Sequence, residues 1–580
     1  MEPDSEVRAR IDEEIAVHAL SIRELCARRN TLSPACCLPS ELLANIFIHC
    51  ALNHHNYPRY SSTKTVPSWV NISYVCRYWR SVALDCPTLW TYHFVASLRW
   101  TEELLARSKQ APLRIRIVSK RRSWRWGLIE KLIDHAERIQ EFDVEFPKRC
   151  NNQILSQLSS PAPRLQNLKI SAHNTSSSRP LVLFDGDTPA LRTLELSGCP
   201  VLWSSFKPNA LTTLCLYRVP EKTQQNMEEF LATLSHMQDL EHLYLDNALA
   251  RAPGIPSSAA GEMKISLPYL SRLLIAAPLS TVIALLSCIN NPSKTQLRLC
   301  CFPENDTSLD NFTRLCSVLA QRFTPSEDQV VPISIIRSLL IRTATVCSSG
   351  AGLTFSGLER DCTWDSIPMH MDWGSNIPLR INFKLNSPMT MSKVNHVISE
   401  ICSFMPLANV RSAHVIEPPF SPAFWGKLLG RLQELRCLKL SCGRMPDLAS
   451  VLSLADIDTH KGWENQVEHA DSDRGTVHVL VPGLDELDLS GITFSRTDDS
   501  NLPGITDYCL FDALSTRDAP RGRVIMTRCK IDVNGWHEFD MVRSWGGVTH
   551  SVKWHSDEVY VYDNASDSSS DWQSNEDDHD

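Results

Sequence analysis

Two stretches of the sequence combine residue types that could hold a phosphate group or a metal ion. The first, SSGAGLTFSG at residues 348–357, is rich in glycine. A phosphate-binding loop carries either a Lys-Ser/Thr ending or G-x-G-x-x-G spacing, because these bring an ammonium group or backbone N–H groups to the phosphate oxygens. Neither pattern occurs in this stretch, so we interpret it as an ordinary loop.

The second stretch contains thiols and imidazoles, which are the ligands that zinc prefers. Their spacing matches no common zinc finger, and a predicted helix separates the first thiol from the last. The catalytic motifs G-x-S-x-G and H-E-x-x-H are absent from the sequence. We therefore expect no metal site, no cofactor and no catalytic residue, and a metal- or nucleotide-dependent enzyme is the least favoured class of function. The zinc candidates are Cys36, Cys37, His49, Cys50, His54 and His55.

The charge of the chain is concentrated at its C-terminal end. The net charge is −8, and residues 557–580 contain nine acids and no Lys or Arg, which leaves about +1 for the remainder. A nearly neutral body argues against nucleic-acid binding, which requires a basic face. We expect residues 555–580 to form an acidic, disordered tail, because so few apolar side chains cannot build a core.

The 20 cysteines are scattered and often occupy apolar positions. The N-terminal segment is charged and lacks the apolar core of a signal peptide, so we expect reduced thiols and a location in the cytoplasm, the nucleus or both. Residues 273–289 carry no charge, but Pro278 divides them. We expect a buried strand followed by a buried helix there, and no membrane span.

The N-terminal 95 residues show helical spacing of apolar side chains. Residues 1–33 predict an amphipathic helix with Ile11, Ile15, Ile22 and Leu25 on one face, which either self-associates or packs on its own chain. Residues 34–95 predict a second helix after Pro39, a polar loop, a third helix capped by Ser73 and a short turn. These helices carry more large apolar side chains than a small unit can bury. They therefore predict either a partner surface or a cap for the rest of the chain.

From residue 96 onward the pattern apolar-x-x-apolar-x-apolar recurs, with early steps of 26, 26, 20, 29 and 30 residues between copies. The last two apolar positions point to one side of a short strand, and stacked copies bury one another's apolar faces. We therefore expect an α/β fold, in which a leucine-rich-repeat-like solenoid with insertions occupies residues 96–554. The clearest copies begin at Ile139, Leu165, Leu191, Leu211, Leu240, Leu270, Ile336, Leu435 and Leu484.

The two N-terminal helical segments resemble the F-box. The family pattern begins Leu-Pro-x-Glu-aliphatic-aliphatic, continues with Ile-Phe, and ends with Val-Cys-basic-x-Trp-Arg and Leu-Trp. The resemblance covers about 55 of the 580 residues, and with loose leucine repeats behind it the chain is similar to the F-box-like proteins of fungi. The loop between the two motifs is longer than in a compact F-box. The matching residues are Leu38, Pro39, Glu41, Leu42, Leu43, Ile46, Phe47, Val75, Cys76, Arg77, Trp79, Arg80, Leu89 and Trp90.

The resemblance implies a non-catalytic adaptor that binds the Skp subunit of a Skp–cullin–F-box ubiquitin ligase and recruits a protein target through its repeats. The alternative is a repeat-based scaffold with no link to a ligase. Neither function involves nucleic acid or a membrane. The resemblance places Leu38, Pro39, Leu42, Leu43, Ile46 and Phe47 against the Skp-type adaptor. It assigns the core of the F-box to Val75, Cys76, Trp79, Val82, Leu89 and Trp90.

Overall fold

A computed structural model describes most of the chain. The chain divides into two compact units, Met1–Ala250 and Arg251–Asp580. The described residues are 4–56, 68–93, 98–118, 126–146, 155, 158–172, 182–200, 202–205, 210–250, 264–292, 294–302, 309–323, 335–344, 351–361, 377–385, 391–416, 422–443, 483–492, 523–527, 530–532, 551–554 and 560–562.

Helices dominate the first hundred residues and then alternate with strands. Short 3-10 helices at Pro34–Cys36, Ser68–Tyr74 and Pro87–Thr91 connect the first three α-helices to one another and to the first strand. The α-helices are α1 (Asp4–Thr31), α2 (Ser40–Asn56), α3 (Arg77–Leu84), α4 (Leu98–Ser108), α5 (Trp126–Ile133), α6 (Met227–Leu234), α7 (Leu279–Cys288), α8 (Leu309–Phe323), α9 (Met391–Phe404) and α10 (Pro422–Arg431).

The strands of the first unit form a parallel ladder in chain order. The apolar positions predicted from the repeat spacing are register partners: Leu168, Leu194, Leu214 and Leu243 make one buried row, and a second row lies two residues further on. Each strand therefore covers the apolar face of its neighbour. The strands are β1 (Tyr92–His93), β2 (Leu113–Val118), β3 (Ile139–Glu145), β4 (Asn167–Ser171), β5 (Thr193–Ser197), β6 (Thr213–Tyr217) and β7 (His242–Asp246).

The second unit also contains parallel strands, but their order is interrupted. The strands are β8 (Ile265–Ser266), β9 (Arg272–Pro278), β10 (Ile289–Asn290), β11 (Gln296–Phe302), β12 (Ser338–Ala344), β13 (Ala351–Leu358), β14 (Leu379–Leu385), β15 (Ser412–Ile416), β16 (Cys437–Gly443), β17 (Glu486–Ile492), β18 (Arg523–Thr527), β19 (Lys530–Asp532), β20 (Ser551–Trp554) and β21 (Tyr560–Tyr562).

The interruption is a three-stranded meander. Strand β11 pairs in parallel with β9 and β14, β13 runs antiparallel between β14 and β12, and β12 pairs in parallel with β15. Parallel pairing then continues from β15 through β18 to β20. The chain is thus an α-helical N-terminal region followed by a strand-rich α/β region, as the sequence predicts at this level.

The apolar stretch at residues 273–289 forms two buried elements. Strand β9 ends at Pro278, and α7 begins at the next residue and buries most of its side chains. Across the described residues, the helices are too short or too polar to span a bilayer. Within the tail predicted to be disordered at residues 555–580, Tyr560–Tyr562 instead forms β21, which pairs with β19, and residues 555–559 and 563–580 lie outside the described residues.

The turn after β5 requires glycine. Gly198 has a φ of +62°, and its N–H donates to the carbonyl oxygen of Tyr217 at 2.8 Å. A Cβ added at this position would overlap the carbonyl oxygen of Ala172. The left-handed backbone and the close approach of two strands therefore both exclude a side chain here.

We predict that Gly198→Ala lowers the free energy of unfolding by about 1–3 kcal/mol, because the new Cβ strains the backbone between two strands. Gly127→Ala is the matched control, because Gly127 lies in α5 and a Cβ there meets no described atom within 4 Å. That control should be neutral or stabilising by about 0.5–1 kcal/mol. Urea unfolding followed by circular dichroism measures both, and an undiminished stability of Gly198→Ala would contradict the assignment of this turn.

Candidate functional site

Helix α2 carries two apolar stripes about 100° apart. Pro39 suits the start of the helix, and its carbonyl oxygen accepts the N–H of Leu43 at 3.0 Å. Glu41 lies in the first turn, where a carboxylate favours the positive end of the helix dipole. One stripe is Leu43, Phe47 and Ala51, and the other contains Leu42 and Ile46.

The first stripe forms the core of the helical module, the name used here for residues 34–93. Leu43 and Phe47 are each 1% exposed, and the ring of Phe47 lies 5.1 Å from that of Trp79. A second aromatic pair, Trp69 and Trp90, has its centroids 5.4 Å apart. Such pairs bury large areas and prefer these tilted geometries, so this aromatic cluster fixes how α2 and α3 pack.

The two sequence segments of the module are also joined by polar contacts. The Tyr78 hydroxyl donates to the carbonyl oxygen of Leu38 at 2.7 Å, and the Sγ atoms of Cys36 and Cys76 lie 3.8 Å apart. Both contacts span 40 residues of sequence. Burial, together with the neighbouring Cys76, raises the pKa of Cys36, so that thiol stays protonated at neutral pH.

Helix α3 begins differently from the prediction. Its N-cap is Cys76, whose Sγ accepts the N–H of Trp79 at 3.4 Å. Ser73, the predicted cap, lies inside the preceding 3-10 helix and donates to the carbonyl oxygen of Val70 at 2.8 Å. The prediction was wrong because the sequence does not reveal the 3-10 helix that delays the start of α3.

Trp90 connects the module to the rest of the first unit. It is fully buried, its Nε1–H donates to the carbonyl oxygen of Ala83 at 2.6 Å, and the guanidinium of Arg107 lies 4.4 Å from its ring centroid. Immediately after it, β1 pairs with β2, and Leu104 of α4 belongs to the same core. The module therefore also closes the start of the parallel ladder.

The residues predicted to form the F-box core differ in their burial. Val82, Leu89 and Trp90 are buried, and Cys76 and Trp79 are half-buried. Val75 is instead 57% exposed, because it lies in the turn between the 3-10 helix and α3. Val75 is therefore not part of the core, contrary to the prediction.

Of the residues predicted to contact the adaptor, some lie in the core of the module and others on its surface. Leu43 and Phe47 belong to the module's own core and are not available on its surface, which corrects their assignment. The helical spacing predicts one broad apolar face that contains Leu43 and Phe47 together with Leu42 and Ile46. The packing instead buries the first pair and leaves the second pair exposed. Leu42 is 53% exposed, Ile46 is 46% exposed and Pro39 is exposed, whereas Leu38 is half-buried. We call Pro39, Leu42 and Ile46 the outer stripe.

Sequence reasoning missed other exposed apolar side chains of this region. Leu32 is 81% exposed, and Tyr74 is 66% exposed beside Val75. Their only sequence signal is a large apolar side chain beside a turn. Among the described residues, no group of three or more His, Cys, Asp or Glu side chains could hold a metal ion.

The exposed strand face of the first unit carries matched charges. Arg114 lies 3.4 Å from Glu141, Arg116 lies 3.3 Å from Asp143, and Lys169 lies 2.8 Å from Glu195 on the next strand. Burial alone would lower the pKa of Lys169, but its hydrogen bond and ion pair with Glu195 raise it overall. Each cation of this ladder thus faces an acid.

The corresponding face of the second unit contains an unmatched position. Arg380 of β14 is the register partner of Arg298 on β11 and of Ser356 on β13. Burial lowers the pKa of Arg380. Within the described part of the chain, Arg380 Nε and the fully buried Oγ of Ser356 have no hydrogen-bond partner. A half-buried cation with an unsatisfied Nε costs stability, because burial removes its hydration without replacing it.

We predict that Phe47→Ala lowers the free energy of unfolding by about 3–5 kcal/mol, because it leaves a cavity beside Trp79 in the core of the module. Ile46→Ala, one position earlier on the outer stripe, should change that free energy by about 0.5 kcal/mol at most. Urea unfolding followed by tryptophan fluorescence distinguishes the two variants. Equal losses would show that both stripes are buried.

We also predict that Arg380→Met raises the free energy of unfolding by about 1 kcal/mol, because it removes a half-buried cation that faces Arg298. The control Arg114→Met should lower that free energy by up to about 1 kcal/mol, since it leaves Glu141 without its cation. Thermal unfolding followed by calorimetry compares them. A loss of stability in Arg380→Met would mean that its guanidinium is favourably bound.

Comparison with known protein families finds a match in the helical module. Residues 35–96 match the model of the F-box-like family, nearly the same segment that the sequence motifs indicate. No curated protein matches the sequence of the chain. The match covers both helical segments, the residues between them, the 3-10 helix with Trp90 and strand β1. Residues 35–96 of this chain are an F-box-like domain.

Proposed function

We propose that this protein is a non-catalytic adaptor that binds the Skp-type subunit of a Skp–cullin–F-box ubiquitin ligase through the outer stripe of α2. The observation that carries the proposal is the exposure of Leu42 and Ile46 on a domain whose core is already complete. F-box-like domains generally bind adaptors of this kind, and the domain at residues 35–96 supports the same partner here. The cullin core would be reached through that adaptor.

The outer stripe has the chemistry of a partner contact. Leu42 and Ile46 lie one helical turn apart, and neighbouring Pro39 extends the apolar surface toward the start of α2. Burying the exposed half of Leu42 and of Ile46 would contribute about 0.7–1.5 kcal/mol each, half the value for a side chain that starts fully exposed. Two central anchors of this kind offset part of the cost of association, and surrounding contacts exclude water from them.

The second half of the proposal concerns the strand-rich region. We propose that it is a degenerate leucine-rich-repeat solenoid whose exposed strand face holds a protein target. The regular parallel register from β3 to β7 supports a repeat array, and β12–β14 would be one of the predicted insertions. Ubiquitin transfer would follow from proximity, because one chain that holds both target and ligase raises their effective concentration. The protein would act in the cytoplasm, the nucleus or both.

A repeat scaffold without a ligase is the second candidate. Its support is the pairing of β1 with β2 and the shared core at Leu104, which give the helical module a structural task of its own. A module that served only as a cap would have no need for exposed Leu42 and Ile46. We therefore favour the adaptor.

We predict that the purified full chain binds a Skp-type adaptor and that Leu42→Asp/Ile46→Asp weakens this binding by about 30-fold or more. A loss of at least about 2 kcal/mol at an interface anchor corresponds to that factor. Isothermal titration calorimetry measures the affinity, and circular dichroism establishes that the variant is folded.

The matched control is Val182→Asp/Tyr269→Asp, which places the same charges at equally exposed apolar positions outside the domain. It should bind the adaptor as the wild type does. If the wild-type chain does not bind, or if both variants bind normally, the adaptor proposal fails and the scaffold is favoured.

A further inference from the structure

Among the described elements, helix α1 carries the most exposed large apolar side chains. It has 28 residues, and none of them is buried against the described part of the chain. Ile11, Ile15, Ile22 and Leu25 are each 50–61% exposed. Helices in proteins gain most of their stability by packing an apolar face against another surface. The uncovered apolar face of α1 therefore indicates a partner.

The spacing of this face indicates another helix as the partner. Ile11, Ile15, His18, Ile22 and Leu25 are separated alternately by four and three residues, which is the a/d spacing of a coiled coil. Val17 and Leu20 lie on the other side of α1, with Glu13 and Glu24 between their positions on the helical circumference. The seam is thus a narrow stripe on a helix that is otherwise mostly polar.

The charges of α1 identify the partner and its direction. Residues 4–18 contain five acids and two arginines, whereas residues 19–31 contain three arginines and one acid. A parallel copy would bring two acidic halves together. An antiparallel copy brings the acidic half of each helix to the basic half of the other, which sets orientation as it does in coiled coils.

We infer that α1 binds α1 of a second copy of this chain as an antiparallel coiled coil. With Ile15 opposite Leu25 of the other copy, His18 lies opposite Ile22, and Glu14 lies beside Arg28. The stem of Arg29 then covers Ile11. The seam from residue 11 to residue 29 is about 27 Å long.

A membrane surface is a poorer occupant. Helices that lie on membranes carry an excess of Lys and Arg on their polar face, whereas α1 carries six acids against five arginines and so has no net positive charge. The seam contains about three heptads, which is near the lower limit for a coiled coil. The dimer should therefore form at micromolar concentrations and exchange readily. It would place two F-box-like domains in one assembly, independently of what those domains bind.

Sedimentation velocity of the full chain from about 1 to 100 µM tests the inference. The expected result is a weight-average mass that rises from 65.4 kDa toward twice that value. Ile15→Asp/Ile22→Asp should remain monomeric throughout. Val17→Asp/Leu20→Asp is the matched control, because it makes the same two changes at equally exposed positions outside the seam, and it should dimerise as the wild type does.

Charge reversal tests the direction. Glu14→Arg should weaken dimerisation about tenfold, and adding Arg28→Glu to the same chain should restore it, because residues 14 and 28 meet only in the antiparallel pair. A wild type that stays monomeric at 100 µM would overturn the inference, as would a dimer that survives Ile15→Asp/Ile22→Asp. Loss of the dimer in the control pair would equally exclude this seam, and absence of rescue by Arg28→Glu would exclude the antiparallel pairing.

Discussion

The packing of Leu43 and Phe47 against a cluster of tryptophans determines the arrangement of the N-terminal part of the chain. These two side chains fix which face of α2 turns inward, because they lie one turn apart on the same side of the helix. Once that stripe is buried, the neighbouring stripe with Leu42 and Ile46 must point away from the core. The same core includes Trp90 and Leu104, so the F-box-like domain and the start of the strand ladder are one packed body. The exposed stripe is therefore held on a rigid support, which is what a partner surface needs.

The strand ladder of the first unit also separates its side chains by face, with apolar side chains on the buried face and charged ones on the other. In the first unit, alternation along each strand directs leucines inward and places cations beside acids on the exposed side. Such pairs add little stability but avoid repulsion between neighbouring strands. In the second unit, Arg380 lies in register with a second cation, Arg298, and with Ser356, so the alternation of cation and acid seen in the first unit does not continue at this position.

Much of this architecture follows from the sequence. The leucine spacing predicts the strands at Leu168, Leu194 and Leu214, and the division at Pro278 predicts a buried strand and helix where hydropathy alone suggests a membrane span. The glycine-rich stretch at residues 348–357, which we interpreted as a loop, instead contributes most of the antiparallel strand β13, because its glycines hide the alternation of the buried Leu353 and Phe355. The sequence also does not decide which stripe of α2 is buried. Leu42 and Leu43 are chemically identical neighbours, and only the packing of tryptophans that are distant in the sequence distinguishes them. Val75 was misplaced for a related reason, since a 3-10 helix changed the phase of the segment before α3.

The division of α2 into a buried and an exposed stripe is tested most directly by the solvent accessibility of individual methyl groups in the full chain. Methyl NMR with a soluble paramagnetic agent, recorded with and without a Skp-type adaptor, reports on Leu42, Leu43 and Ile46 separately. We expect strong broadening of the Leu42 and Ile46 methyl signals in the free chain, protection of both in the complex, and protection of Leu43 in both states. Broadening of Leu43 in the free chain, or continued broadening of Leu42 and Ile46 in the presence of saturating adaptor, would contradict the proposed use of the outer stripe.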